Sequence, residues 1–416
     1  NDGNNMKSSI IFGSGLENDF NNNSINVHNI SNNDIDTQNN ICDLVVEKSD
    51  CSLIKSNSAI LNENNESSLQ IKTIYNQNIK SYYTLTNDKD DTLIFESRFE
   101  SGNLLCAFKT EEEDSYQLYL QNDTNTTGYT QWFFFRVSNT RKGKKVNFNI
   151  INMLRKKCIY KRGLKIMVYS KLEANNENIG WHRDGNTVIY YTNNLYVMNE
   201  VSGKKRSLHS LSFDYEFKYD NDTVYFANCI PYFYTKRTKE LSLHESKYNY
   251  VKKNIITTTL GGNNLEMLTI DEDFIHSKIE DNFSKLNISN TVSSNVINNS
   301  NLSKNLNKKI VVLIARQHPG ETVGSHVIKG CIDFLLSDSE EAKKLRELYI
   351  FKIIPIMNPD GVLMGNSRSS FAGCDLNRRW GKPNEIIHPE IFYTRKMILS
   401  YSNIAFIIDF HGHFGN

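Results

Sequence analysis

The sequence has no long hydrophobic run, almost no net charge and no paired cysteine pattern, and each absence argues against a class of protein. A membrane-spanning helix needs roughly 18 or more apolar residues in succession, and no segment approaches that length. The formal net charge is +1, so no overall field favours nucleic acid or a membrane surface as a partner. The seven cysteines lack paired spacing, which favours free thiols in a reducing compartment over disulfides. We therefore expect a cytoplasmic protein with neither a membrane nor a nucleic acid partner.

Two polar tracts divide the chain. Residues 1–80 are dominated by Asn, Ser and Asp, a composition that buries too little apolar surface to offset the entropy of ordering, so we predict a disordered arm. Residues 271–307 have a similar composition and predict a low-complexity insertion in a loop, because long loops cost little extra closure entropy. The rest predicts two folded domains, 81–230 and 231–416.

The first of these domains is predicted to consist of strands. Nine short segments rich in Tyr and Phe lie between residues 92 and 230, separated by turn sequences such as Arg183-Asp-Gly-Asn186. Eight or nine such strands favour an antiparallel β-sandwich. Within it, nine Lys and Arg residues lie in 141–162. They predict either a solvated strand edge guarded by lysines, which we favour, or a docking face for an acidic polymer.

In the second domain, three apolar runs each end at polar residues that suit an active site. The runs cover 310–315, 348–357 and 404–410, and their length and apolar character are typical of strands buried on both faces of a parallel sheet. Because ligands bind outside the carboxyl ends of strands in open α/β sheets, we expect the three polar clusters to meet there. The clusters are His318-Pro-Gly-Glu321, Asn358-Pro-Asp-Gly361 and His411-Gly-His413.

Two histidines and one glutamate in these clusters predict a metal site. His318, Glu321 and His411 form a His2Glu set that leaves one coordination position open for water, which is typical of catalytic zinc. A structural site or three unrelated loops are the alternatives. A structural zinc is usually closed by a fourth side chain, often Cys, and no cysteine lies beside these residues. We therefore predict one zinc ion in this domain.

The order of the motifs resembles a known family. His-Pro-Gly-Glu, Asn-Pro-Asp-Gly-Val, Gly-Asn-x-Arg, Gly-x-Asp-Leu-Asn-Arg and His-Gly-His follow one another between residues 308 and 413. Together they resemble the zinc metallocarboxypeptidases, specifically the cytosolic carboxypeptidase branch. Segments 131–139, 180–183 and 221–227 resemble the β domain that precedes the catalytic domain in that branch. The resemblance implies an α/β catalytic domain with an eight-stranded mixed sheet, of which this sequence carries the first half.

The resemblance also implies a role for several residues. Arg368 matches the arginine that polarises the scissile carbonyl and stabilises the oxyanion. Asn377 and Arg378 match the pair that binds the C-terminal carboxylate of the substrate. Asp375 matches the carboxylate that accepts a hydrogen bond from the first zinc histidine. Family position favours His411 over His413 as the third ligand and leaves the part of His413 open.

The implied function is removal of C-terminal residues. The branch implies glutamate removal from acidic or polyglutamylated protein tails, tubulin being its best-known substrate class, and hence association with microtubules. The family's general base is a Glu downstream of the third ligand, beyond Asn416, so we expect residues 1–416 alone to be inactive and, with strand 404–410 unpaired, poorly soluble. A catalytically inactive scaffold of the same fold that binds peptides or acidic polymers is the alternative.

Overall fold

The computed structural model describes residues 9–11, 60–62, 85–87, 89–198, 205–274 and 308–412. Most of the predicted disordered arm at 1–80 therefore lies outside the described residues. The same is true of positions 275–307 of the predicted insertion and of His413. None of the helices in the described ranges is long and apolar enough to cross a membrane.

The chain divides into two compact units. The first comprises Asn1–Phe12, Asp91–Asn193 and Leu208–Asn416, and the second comprises Gly13–Asp90 and Asn194–Ser207. Within the second unit, strand β2 (Ile60–Asn62) pairs antiparallel with residues 195–197. The first unit contains most of both predicted folded domains, and their limits stay predictions.

The predicted β-sandwich is present. The strands after β2 are β3 (Ile94–Glu96), β4 (Leu104–Lys109), β5 (Ser115–Leu120), β6 (Phe134–Ser138), β7 (Lys145–Met153), β8 (Ile166–Ser170), β9 (His182–Asp184), β10 (Asn186–Met198), β11 (Lys205–Glu216) and β12 (Val224–Ala227). One sheet has the strand order β10-β11-β7-β5-β4, and the other has the order β3-β6-β12-β8-β9. Phe148 and Phe213 of the first sheet and Phe135 and Phe226 of the second are fully buried in the core between them.

The sandwich differs from the prediction in two details. Strands β5 and β7 run parallel, because the chain between them passes through β6 in the opposite sheet and returns in the same direction. All other pairings recorded within the sandwich are antiparallel. Strand β9 was not predicted, because its three residues are too few to show an alternating pattern.

The second domain contains a mixed sheet with helices on both faces. Its strands are β13 (Val251–Thr258), β14 (Asn264–Ile270), β15 (Lys309–Ala315), β16 (Tyr349–Ile354) and β17 (Ile404–Phe410), together with β1 (Ser9–Ile11). The order is β1-β17-β15-β16-β14-β13, so five strands of this domain and one strand from the region of the predicted arm form the sheet. The helices of the first unit are α1 (Lys171–Glu177) in the sandwich, and α2 (Tyr234–Lys247), α3 (Thr322–Leu335), α4 (Glu340–Leu348), α5 (Pro359–Met364) and α6 (Pro389–Leu399) around this sheet.

Strand β15 lies at the centre and fixes the geometry of the site. It runs parallel to both β16 and β17, so the carboxyl ends of these three strands lie at one edge, as predicted. Val311 and Leu313 pack on one face of the sheet with Ile328 of α3. Val312 and Ile314 pack on the other face with Ile391 of α6 and Leu376. Burial on both faces explains the continuous apolar run of this strand.

One expectation about the second domain needs correction, and one of its helices was not predicted. Strand β17 is not an unpaired edge, because β1 pairs antiparallel with it, with Ile10 opposite Ile408. Helix α5 was not predicted, although the sequence carries its start and stop signals. The side chain of Asn358 caps this helix by accepting a hydrogen bond from the Gly361 N–H at 3.0 Å. Pro359 lies in the first turn, and Gly365 follows the last turn in a left-handed conformation with φ 72°.

Candidate active site

The three predicted metal ligands lie together at the carboxyl edge of the sheet. His318 follows β15, Glu321 occupies the N-cap position of α3 without a side-chain capping bond, and His411 follows β17 directly. One ligating atom of each lies within 4.8 Å of the other two. Both Nδ1 atoms are 3.0 Å from a carboxylate oxygen of Glu321. Ligands bound to one tetrahedral zinc at its usual bond lengths lie about 3.3 Å apart, so the donor set fits such an ion.

The remaining nitrogen of each imidazole faces a second carboxylate. His318 Nε2 lies 3.0 Å from Asp375 Oδ1, and His411 Nε2 lies 2.6 Å from Asp409 Oδ2. A carboxylate at Nε2 favours the tautomer that donates there and leaves Nδ1 free to bind a metal. The sequence analysis identified Asp375 by resemblance and missed Asp409, which lies within the otherwise apolar strand β17.

The charges of these groups shift one another's pKa. Burial would raise the pKa of the Glu321 carboxyl, but the hydrogen bonds from His318 and His411 hold it well below its usual range. Burial would lower the pKa of the two imidazoles, but their carboxylate partners raise it, to about 10 for His411. The raised pKa favours the protonated imidazoles, so protons and a metal ion compete for these nitrogens.

The turn between His318 and Glu321 is held by a buried arginine that sequence reasoning also missed. Arg316 is fully buried and adopts a positive φ of 63°. Its Nε donates to the carbonyl oxygen of Pro319 at 2.5 Å, and its Nη1 donates to the carbonyl oxygen of Tyr232 and to Ser325 Oγ, both at 3.3 Å. Burial lowers the pKa of Arg316 to about 10. The sequence around Arg316 has no feature that distinguishes a buried arginine from a solvent-exposed one.

The predicted arginines and asparagine lie beside this cluster. Arg368 Nη2 is 2.6 Å from Asp375 Oδ2, so Asp375 bonds both His318 and Arg368. Asn377 Nδ2 lies 3.4 Å from His411 Nε2, and its backbone N–H donates to Asp375. Arg378 is exposed, and its Nη1 donates to the carbonyl oxygen of Asn377 at 3.1 Å. The structure thus brings all six predicted site residues into one connected region.

Strand β7 divides the basic stretch at 141–162 into two groups. Four of its cations precede or begin β7 and five follow it. A nine-residue strand at about 3.3 Å per residue separates the two groups by roughly 25 Å. In the first group, Lys144 forms ion pairs with Asp91 and Asp114. Such neutralisation favours the solvated-edge interpretation.

The sequence matches known proteins over most of its length. Residues 241–412 match the zinc carboxypeptidase family, and residues 95–228 match the cytosolic carboxypeptidase N-terminal domain. The chain is 40% identical over 336 residues to cytosolic carboxypeptidase 2 of Homo sapiens, covering 79% of this chain and 34% of that protein. It is 37% identical over 331 residues to cytosolic carboxypeptidase 3 of Bos taurus, covering 78% of this chain and 30% of that protein. The chain therefore spans about a third of the length of these curated relatives.

Solved structures share the fold. A metallo-carboxypeptidase from Burkholderia cenocepacia aligns with a TM-score of 0.57 at 22% identity, covering 78% of this chain and 72% of that one. A metallo-carboxypeptidase from Pseudomonas aeruginosa aligns with a TM-score of 0.52 at 20% identity, covering 77% and 70%. At this identity the likeness concerns the fold.

Proposed function

Because the chain belongs to the zinc carboxypeptidases and carries the N-terminal domain of their cytosolic branch, we propose that the whole protein hydrolyses C-terminal residues of protein tails. The convergence of His318, Glu321 and His411, with a carboxylate behind each imidazole, is the observation that carries this proposal. The family uses zinc, and these residues are the ones that would hold it. When bound, zinc supplies a Lewis acid that lowers the pKa of a water molecule and polarises a carbonyl.

Arg368 is the group proposed to stabilise the oxyanion. Its side chain is 25% exposed and its guanidinium is held by Asp375, so a permanent positive charge is fixed beside the metal ligands. A preorganised charge of this kind stabilises the negative charge that develops on a carbonyl oxygen under attack. The proton of the attacking water requires a general base, which the family resemblance assigns to a Glu downstream of the third ligand.

Arg378 and Asn377 are proposed to bind the terminal carboxylate. Arg378 is exposed and has no carboxylate partner within the described ranges, so its planar fork is available for a bidentate pair. Asn377 Nδ2 lies 3.4 Å from His411 Nε2, which supports a carboxylate site next to the proposed metal site. A clamp at this distance selects the last peptide bond of a chain and makes the enzyme an exopeptidase.

The finer substrate assignment follows the branch. We propose that the residues removed are glutamates of acidic or polyglutamylated tails, with tubulin as one source, and that the protein is cytoplasmic and associates with microtubules. The names of its relatives support the cytosolic location.

The test uses the whole purified protein with a glutamate-tailed peptide. We expect glutamate release that chelators abolish and zinc restores, and loss of bound zinc in folded His318→Ala and His411→Ala. Undiminished zinc per chain in both variants would show that the ligand set is wrong. Tight peptide binding by a zinc-loaded wild-type protein without any turnover would instead favour the inactive scaffold.

A further inference from the structure

We propose that Asp123 of the β-sandwich is a positioning residue that holds the loop carrying Arg368. The inference rests on the proposed function of Arg368. Asp123 lies in the loop between β5 and β6, whereas Arg368 lies in the loop between α5 and the short 3-10 helix Leu376–Arg378. Asp123 and Arg368 are 245 residues apart, and no sequence motif indicates that their loops are in contact.

The carboxylate of Asp123 accepts hydrogen bonds from three consecutive backbone amides. Ser367 N donates to Oδ1 at 2.6 Å, and Arg368 N and Ser369 N donate to Oδ2 at 2.7 and 2.8 Å. The hydroxyl of Ser369 donates to Oδ2 as well, at 2.8 Å. Asp123 is 3% exposed. Successive amides that converge on one buried anion fix the backbone dihedrals between them, so the direction in which Arg368 leaves the main chain depends on this carboxylate.

Neighbouring residues of the sandwich hold the same loop on either side. Thr124 donates from its backbone N and its hydroxyl to Asn366 Oδ1 at 3.0 and 3.1 Å. Asn125 Nδ2 donates to the carbonyl oxygen of Phe371 at 2.7 Å. The backbone amides of residues 131 and 132 both donate to Ser367 Oγ, at 3.0 and 2.8 Å. The sandwich therefore contacts this loop before, at and after Arg368.

The loop that carries Arg368 has no regular secondary structure. Residues 365–375 contain no helix or strand, although the loop has hydrogen bonds of its own, such as Ser370 N to the carbonyl oxygen of Cys374 at 2.8 Å. The guanidinium of Arg368 has one ion-pair partner in the described structure, Asp375. The same Asp375 bonds His318, so a shift of the backbone at Arg368 changes the placement of the positive charge relative to the metal ligands. Misplacement of a reacting group by about 1 Å can cost about 100-fold in rate.

The experiment compares Asp123→Ala and the milder Asp123→Asn with a matched control, Asp222→Ala. Asp222 is 2% exposed and accepts the amides of Leu172 and Thr223 at 3.1 and 2.7 Å, entirely within the sandwich. For the whole zinc-loaded protein, we expect Asp123→Ala to lower kcat by about 10- to 100-fold. KM should change less than about threefold and zinc content should be unchanged, because neither the carboxylate clamp nor the metal ligands are altered. Asp123→Asn keeps one acceptor oxygen and should fall between Asp123→Ala and the wild type, whereas Asp222→Ala should keep the wild-type kcat.

A double-mutant cycle with Arg368→Ala separates positioning from general destabilisation. If Asp123 acts through Arg368, its substitution should change kcat by less than about threefold once Arg368 is absent. An equal loss of kcat in both backgrounds, or the same loss in Asp222→Ala, overturns the inference.

Amide hydrogen exchange supplies a readout that needs no substrate. Exchange at residues 367–369 should accelerate at least about tenfold in Asp123→Ala, which loses both acceptor oxygens, and less in Asp123→Asn, which keeps one. It should not accelerate in Asp222→Ala. Unchanged protection in the Asp123 variants refutes the role of Asp123 even if the enzyme is active. If the wild-type protein hydrolyses no peptide, the proposed function fails, and the exchange data alone decide whether Asp123 holds the loop.

Discussion

Replacing Arg378 with alanine tests the exopeptidase proposal most directly. The guanidinium is exposed, and its recorded hydrogen bond is to the adjacent carbonyl oxygen of Asn377 at 3.1 Å. A surface substitution of this kind usually changes the free energy of unfolding by less than about 0.5 kcal/mol. The variant should therefore fold and bind zinc normally, and any loss of activity reports on substrate binding.

The size of that loss follows from the ion pair that Arg378 is proposed to form with the C-terminal carboxylate of the bound substrate. Removing one partner of a desolvated, hydrogen-bonded charge pair costs about 2 to 5 kcal/mol. Each 1.36 kcal/mol or so changes a rate tenfold, so kcat/KM should fall by roughly 30-fold or more. The measurement is kcat/KM for a glutamate-tailed peptide with a free C-terminus, with its C-terminally amidated form as the substrate control.

The neighbouring residue offers a matched protein control. Arg379 is also exposed, and its Nη2 lies 3.9 Å from Cys374 Sγ, so Arg379→Ala removes the same charge one position away. We expect Arg379→Ala to retain most activity. Equal losses in the two variants would indicate a general electrostatic effect, and an unchanged Arg378→Ala, or equal cleavage of the amidated peptide, would refute the carboxylate clamp.

Three further predictions concern metal affinity and stability. Burial raises the pKa of Glu390 from 4.5 to about 7, so the folded state binds more protons between those values and the free energy of unfolding should fall by at most about 3 kcal/mol as pH rises through them. Urea unfolding of Glu390→Gln should lack this decrease, and identical pH profiles would contradict the assignment. Asp409→Asn should weaken zinc affinity about 10- to 100-fold in a competitive chelator titration, because Asp409 orients His411; an unchanged affinity would show that this partner is dispensable. Phe226→Ala, in the fully buried sandwich core, should lower the free energy of unfolding by about 3 to 5 kcal/mol, and a loss below about 1 kcal/mol would mean that the core collapses around the cavity.

The convergence of His318, Glu321 and His411 could be predicted because each lies shortly after an apolar run. An apolar run marks a buried strand, the strands are parallel, and the residues after them must meet at one edge of the sheet. The position of a strand does not predict which face of the following helix packs on the sheet. The sequence analysis did not identify Ile328 and Ile332 as the residues that α3 buries against the sheet, because apolar side chains occupy more than one face of this helix.

Asp123 escaped prediction because its partners are distant in sequence. It lies in a stretch of Asn, Thr and Gly that is typical of a turn, and an aspartate there normally caps its own backbone. Its actual donors lie more than 240 positions away. Asp409 differs, because its partner His411 lies only two positions further along the chain. An isolated acid in an otherwise apolar strand does not reveal that its carboxylate contacts this imidazole, and the contact becomes visible only in the tertiary structure.

The placement of Arg368 depends on two domains at once. Its backbone amide is bonded to Asp123 of the sandwich, and its guanidinium is bonded to Asp375 of the catalytic domain. Since Asp375 also bonds His318, the orientation of a proposed metal ligand and the position of the proposed oxyanion arginine share one carboxylate. An arginine fixed at only one end would keep several rotatable bonds and could not hold its charge at a set distance from the proposed metal ligands. If Arg368 has the proposed role, the β-sandwich contributes to the active site through the main chain that Asp123 holds, although Asp123 contacts none of the three proposed ligands.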